Sequence, residues 1–386
     1  DDPKKTLSPG TARALHRPGV VSVSRLETYA GCPFRHFVDH GLRPQERREW
    51  ELKRSDLGSF YHAAMEGFTR RAQQDPAWPG MGRERAEGLM DEVLLDLTRG
   101  WEEAPWADTP RARSRAKGAL GLCRRMAWAL TEGGAASDFK PAYTELRFGM
   151  EGGLPPMDIH LASGGVLRLR GTIDRLDIAE LDEDLRLLRV VDYKSGGVAL
   201  KGGDLEAGVQ LQLMLYLRAA LELLAGIDPA GAFYQRLADP LVRAEGPQEA
   251  EKEARKALRL DGVLLADARV VRGMDHCDPP VTLASYLKKD GSLAGSGKLL
   301  TREELDSLMA LAERRVRELA SGIFSGHIER APLVRASGRA ECDFCAYQGI
   351  CRTEKISSEP LRRHSRNIGL KELAQSEMEA GDEGQP

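Results

Sequence analysis

Two short stretches decide the fold: GTIDRLDI, residues 171–178, and VVDYKSG, residues 190–196. Both are rich in apolar and β-branched residues, and a polar cluster at 182–184 separates them, which is the pattern of neighbouring strands. Asp174 falls on the first strand, while Asp192 and Lys194 stand two apart on the second, so their side chains leave one face of that strand. Two carboxylates and an ammonium can therefore converge. Paired carboxylates favour a hard divalent cation such as Mg2+, which keeps waters that phosphate oxygens can displace. A lysine beside them can position water or offset charge growing on a phosphate. The same spacing also suits a plain ion pair at a strand end.

Working outward, TELRFGM (144–150) precedes these strands, which extend over 166–180 and 185–196, giving three consecutive strands. A long apolar helix over 208–224 and a further strand, GAFYQRL (231–237), follow. A meander, a helix and a returning strand predict an α/β fold with a mixed central sheet flanked by helices. Two short helices over 22–42 are expected to meet at Cys32, with further helices over 55–74, 83–100, 111–131 and 302–321. Pro3, Pro9, Gly10 and Pro18 predict that residues 1–20 form an extended linker from an upstream region. The folded unit is expected over 21–358, and the polar stretch 359–386 is expected to be a mobile tail.

The 386 residues are 41% hydrophobic and 30% charged with a net charge of −3, which excludes wholesale disorder and any global preference for nucleic acid. Any DNA-binding surface must be local. One segment qualifies: Arg111, Arg113, Arg115, Lys117, Arg124 and Arg125 occur between 111 and 130 without an acid. On a helix they form either a phosphate-contacting stripe or a solvated face. The most apolar helix contains Gln212, Arg218 and Glu222, so no membrane span is expected. Six cysteines are too few for a disulfide scaffold and fit a cytoplasmic chain. Three of them, Cys342, Cys345 and Cys351, follow C-x2-C-x5-C spacing, which suits zinc or an iron-sulfur cluster and needs a fourth ligand, for which Cys32 is the candidate. Cys123 and Cys277 lack such context and are expected to be buried, inert thiols.

An acid on one strand, the D-x-K of Asp192, Tyr193 and Lys194 on the next, and a helix bearing QLQLMLY (210–216) together resemble the PD-(D/E)XK nuclease superfamily. Within it, GxxDRxD at Gly171 to Asp177, the Q-x-x-x-Y of Gln212 and Tyr216, and GSFYH at 58–62 resemble the RecB-like branch. Gln210 offers a competing register for the glutamine. The resemblance implies that His62, Asp174, Asp192 and the carbonyl of Tyr193 hold Mg2+, with Glu145 a weaker additional acid. It implies that Lys194 positions the attacking water, and that Gln212 with Tyr216 orients substrate or Lys194. One distant cysteine plus C-x2-C-x5-C resembles the AddB-type nuclease domains, which implies a 4Fe-4S cluster on Cys32, Cys342, Cys345 and Cys351 stapling the two ends of a restriction-endonuclease-like core. The family implies an exonuclease that cuts single-stranded DNA, the 5′-ended strand, during double-strand break resection, beside an AddA-type helicase-nuclease subunit. Two other readings stand beside it: a RecB-like nuclease of CRISPR adaptation or replication, and a catalytically silent DNA-binding module. Without the resemblance, His62 and Tyr216 read as core residues, and Gln210 and Gln212 as glutamines bonded to neighbouring backbone.

Overall fold

The structure, a computed structural model, describes residues 5–16, 19–45, 54–101, 109–161, 164–182, 185–196, 199–237, 242–284, 286–294, 296–352 and 363–382. The chain runs α1 (Pro9–Leu15), β1 (Val20–Ser22), α2 (Val23–Gly31), α3 (Pro33–His36), a π-helical turn (Phe37–Leu42), α4 (Arg54–Gln74), α5 (Arg83–Leu97) and α6 (Pro110–Ala135). Next come β2 (Lys140–Phe148), β3 (Met157–His160), β4 (Val166–Asp182), β5 (Leu185–Lys194), α7 (Gly202–Glu206), α8 (Gln212–Leu223) and β6 (Asp228–Arg236). The remainder is α9 (Pro247–Ala257), β7 (Asp261–Leu265), α10 (Ala268–Met274), β8 (Leu299–Leu300), α11 (Arg302–Phe324), β9 (Leu333–Val334), α12 (Gln348–Cys351), β10 (Arg363–His364) and α13 (Leu370–Asp382).

Among the described residues the main sheet has eight strands in the order β1-β4-β5-β6-β7-β8, with β2 and β3 also paired to the long β4. Antiparallel β4 and β5 form the expected hairpin, and β5 pairs parallel with β6 through the α7–α8 crossover, so the sheet is mixed. Residues on β5 alternate between two cores. Leu188 and Val190 face one core with Leu26, Leu213, Leu217 and Leu308, under α2, α8 and α11. Leu187 and Val191 face another with Phe68, Met90 and Met126, under α4, α5 and α6. A strand buried on both faces explains why VVDYK reads as an apolar run whose two charges, Asp192 and Lys194, pair with each other.

Both predicted termini are corrected within the described residues. Residues 5–16 are not an extended linker: Ser8 caps α1, Pro9 takes a first-turn position where its missing N–H costs nothing, and Ala12 is buried. Leu7 N–H donates to Gly326 O, docking this segment beside the end of α11. Residues 363–382 carry secondary structure where a bare polar tail was expected: β10 pairs with β9, and Ile368, Leu370, Leu373 and Ala374 enter the first core. The expected boundary at 358 falls outside the described residues. Cys277 is exposed rather than buried, whereas Cys123 is buried.

The second half of GxxDRxD turns to the face opposite Asp192 and Lys194 and holds the sheet. Asp177, fully buried, accepts from Arg189 Nε at 2.8 Å and lies 2.9 Å from Arg175 Nε. Arg175 also donates to the Tyr193 hydroxyl at 2.9 Å and to Gln235 Oε1 at 3.1 Å. Removing the shared acid strands two buried guanidiniums, so Asp177→Ala should lower unfolding stability by about 3 kcal/mol. A urea melt checks this; an unchanged midpoint would refute the assignment.

Candidate active site

Three elements bring the first group of ligand atoms together. Register places Glu145 of β2 opposite Asp174 of β4, because Thr144 pairs with Arg175 and Leu146 with Ile173. Helix α4 buries Ala64, Met65 and Phe68 in the second core, which sets His62 at the edge of that face. The His62 Nδ1 lies 3.2 Å from Asp174 Oδ1 and 3.7 Å from Glu145 Oε1, and one ligand atom from each residue falls within 4.8 Å of the others. Glu145 adopts φ 49°, a left-handed conformation costly for a non-glycine residue, at the point where its carboxylate joins the group. Desolvation opposes a charge on His62, but the two carboxylates outweigh it and raise its pKa to about 10. The same two carboxylates that favour a charged imidazole at His62 would favour a divalent cation.

The second group lies on β5 and α8. Lys194 Nζ sits 2.5 Å from Asp192 Oδ2 and donates to Gln212 Oε1 at 2.7 Å, so Asp192 and Lys194 do share a face. Desolvation pushes Asp192 up to about 6, partly countered by Lys194 and reinforced by Asp174. The Tyr193 N–H donates to Asp174 Oδ2 at 2.6 Å and ties the two groups together, while its phenol faces Arg175 on the other side. Asp192 is not among the three residues whose ligand atoms cluster; its carboxylate is turned to Lys194.

The two glutamines have different tasks. Gln212 meets Lys194, whereas Gln210 clamps the loop before α7, accepting from Lys201 N–H at 2.9 Å and donating to Ala199 O at 3.0 Å. Tyr216 is buried in the first core, edge-on to Phe148 with ring centroids 5.9 Å apart. Gly171 makes room for that packing: a Cβ there would lie 2.8 Å from both rings. Sequence reasoning missed Glu27 of α2, whose Oε1 accepts the N–H groups of Leu211 and Gln212 at 2.7 and 3.1 Å. Its signal was an acid inside a helix otherwise spaced by buried Val23, Leu26, Tyr29 and Ala30.

A separate cavity of about 410 Å³ is lined by Cys32, Cys342, Cys345 and Cys351, each outside any disulfide. Cys32 stands at the junction of α2 and α3, as expected, and the other three lie on the loop that ends in α12. Burial pushes the Cys32 thiol up, and the charges of Cys351 and Cys345 add to the rise. Arg330 also lines the cavity, and its buried Nε and Nη1 have no hydrogen-bond partner among the described residues. Four thiols and a guanidinium that rests over the Phe34 ring at 4.9 Å, with two nitrogens lacking hydrogen bonds among the described residues, suit an anionic thiolate-bound group. The basic residues Arg111, Arg113, Arg115 and Lys117 are exposed along α6, and Arg124 pairs with Asp91 at 2.6 Å.

His62, Glu145 and Asp174 group at the edge of the mixed sheet, with the D-x-K pair of Asp192 and Lys194 on the neighbouring strand. The family model for the PD-(D/E)XK nuclease superfamily matches residues 20–352, and the chain belongs to that superfamily. It is 33% identical over 351 residues to the B-type subunit of the ATP-dependent helicase/deoxyribonuclease of Alkaliphilus metalliredigens, covering 88% of this chain and 30% of the relative. To the corresponding protein from Moorella thermoacetica it is 36% identical over 357 residues, covering 89% of this chain and 31% of the relative. The chain thus spans about a third of the length of these curated relatives. Among the described residues no helix is long and apolar enough to cross a membrane.

Proposed function

We propose that this chain is the Mg2+-dependent exonuclease part of an AddB-type helicase-nuclease subunit, hydrolysing single-stranded DNA, the 5′-ended strand, during resection of double-strand breaks in the cytoplasm. The observation that carries this reading is the Lys194 ammonium, bracketed by Asp192 and Gln212 beside the His62, Glu145 and Asp174 group. His62, Asp174 and Asp192 would hold Mg2+, with the Tyr193 carbonyl, and Glu145 is an available further carboxylate. Bound there, Mg2+ supplies Lewis acidity that polarises the scissile phosphate and lowers the pKa of water.

The residues themselves do the remaining work. Lys194, fixed from two sides, holds the attacking water in line and neutralises charge developing on the phosphate. Gln212 limits where that ammonium can sit, and Tyr216 packs the helix that carries Gln212 against β4. Cys32, Cys342, Cys345 and Cys351 would hold a 4Fe-4S cluster that staples α2 to the C-terminal loop. The relatives are B-type subunits of a helicase/deoxyribonuclease, which supports an AddA-type helicase-nuclease partner that feeds DNA to this site.

The test is digestion of labelled single-stranded DNA with Mg2+ by anaerobically purified protein, wild type against Lys194→Ala. At least a 100-fold loss of rate is expected in the variant. Equal rates would remove Lys194 from the chemistry. No cutting by either protein, alone or joined to a helicase partner, would refute the nuclease reading.

A further inference from the structure

The cleft of about 510 Å³ that contains Lys194, Gln212 and Tyr234 is also lined by Glu27, which belongs to no motif that the sequence reading used. Glu27 lies in the middle of α2, far from the catalytic strands in sequence, yet its Oε1 takes the N–H groups of Leu211 and Gln212. Those are among the first N–H groups of α8, which no partner within the helix can satisfy. The residue at the N-cap position, Leu211, has no side-chain oxygen to offer, and no side-chain cap forms from it. Glu27 supplies the missing cap from another helix, and a carboxylate is favoured there by the aligned peptide dipoles.

Gln212 is therefore held at two points. Its backbone N–H is fixed by Glu27, and its side-chain oxygen fixes Lys194 Nζ. A shift of the first turn of α8 would move the amide oxygen and release the ammonium toward Asp192 alone or toward solvent. Glu27 stands outside the His62, Glu145 and Asp174 group, and it does not need to touch DNA to act. We propose that Glu27 is a positioning residue for the reaction: it sets the start of α8, and through Gln212 it sets where Lys194 points. Two facts set it apart from an ordinary cap. Its target is the residue of α8 that bonds the D-x-K lysine, and it lines the same cleft as that lysine. Desolvation pushes its carboxyl up to about 7, so keeping an acid here runs against its hydration.

The proposal rests on the nuclease reading, but its first test does not. In metal-free protein, acetylation of Lys194 by acetic anhydride at pH 8 is read by mass spectrometry against exposed Lys201 on the same cleft. Glu27→Ala should raise the Lys194 to Lys201 ratio at least threefold, and Glu27→Gln, which keeps an oxygen acceptor, should leave it unchanged. The second test is a cycle in DNA cleavage. Glu27→Ala should lower kcat at least tenfold with KM within twofold, Glu27→Gln should stay within threefold of wild type, and Glu27→Ala added to Gln212→Ala should cost less than a further threefold. If Glu27→Ala does not fold, Glu27→Asp, one methylene short of both N–H groups, carries the same expectations. An unchanged acetylation ratio, or losses that multiply between Glu27 and Gln212, would overturn the proposal. Wild type that labels as expected but never cuts would instead count against the nuclease reading.

Discussion

Asp192→Asn should abolish DNA cleavage, by at least a thousandfold, in a protein that melts at pH 8 no earlier than wild type. The first half follows from charge: the amide can neither contribute a negative ligand to a divalent ion nor anchor the Lys194 ammonium. The second half follows from burial. Asp192 is 4% exposed, and desolvation places its folded-state pKa at about 6, above the ordinary carboxylate value of 3.8. Between those two values the unfolded chain has lost the proton while the folded chain keeps it, so raising the pH through that window removes stability. Above about pH 6 the full cost of the buried charge is present, on the order of 3 kcal/mol before its pairing with Lys194 is disturbed. Asn carries no such cost. Metal-free melts should therefore show the variant equal to or above wild type at pH 8, with no gain near pH 4. Adding Mg2+ should raise the melting temperature of wild type and not of the variant. Cleavage above a tenth of the wild-type rate would place the metal elsewhere.

How much of this was legible in the sequence depends on the range of the interaction. The period of two along β5 was enough to put Asp192 and Lys194 on one face, because alternation is a property of the strand itself. The choice between Gln210 and Gln212 was not local. It depends on where α8 begins, and Glu27, on a helix far upstream, supplies the cap that fixes that point. Likewise Glu145 joins His62 and Asp174 through strand register and a left-handed backbone that no propensity announces. Strand β3 was missed because MDIH follows GGLPP, a run of turn residues. The terminal errors share one cause. Pro9 and Gly10 read as a linker, although proline in the first turn of a capped helix starts it. In α13 the buried Leu370, Leu373 and Ala374 are diluted by Lys, Glu, Gln and Ser on the outer face, so a helix with one apolar stripe looked like a polar tail. The spacing of Cys342, Cys345 and Cys351 was legible because it is written in the chain, and Cys32, far upstream, lines the same cavity.

Cys345→Ser should yield a colourless protein that has lost its iron and about 5 kcal/mol of stability. The size comes from topology. A bond network joining Cys32 to the 342–351 loop closes a segment of roughly 300 residues, and the chain-entropy estimate for so long a loop reaches about 5 kcal/mol. Polar contacts that tie this loop to α3 and the turn after it include the Tyr347 hydroxyl, which donates to Asp39 at 2.5 Å, and Arg35, 3.7 Å from Glu341. The Arg35–Glu341 ion pair is partly open to solvent, where such pairs contribute little. Cys123→Ser and Cys277→Ser, which stand outside the cavity, should keep the brown colour and the iron. Absorbance, iron and zinc content and thermal melts decide the matter. Colourless wild-type protein with one zinc per chain would replace the cluster by a zinc site. Brown protein with unaltered iron in Cys345→Ser would remove that residue from the ligand set. Because α2 ends at Cys32 and carries Glu27 five residues earlier, loss of the staple should also slow cleavage. That loss should come as a fall in kcat with the Mg2+ requirement unchanged, since the cysteines stand outside the His62, Glu145 and Asp174 group.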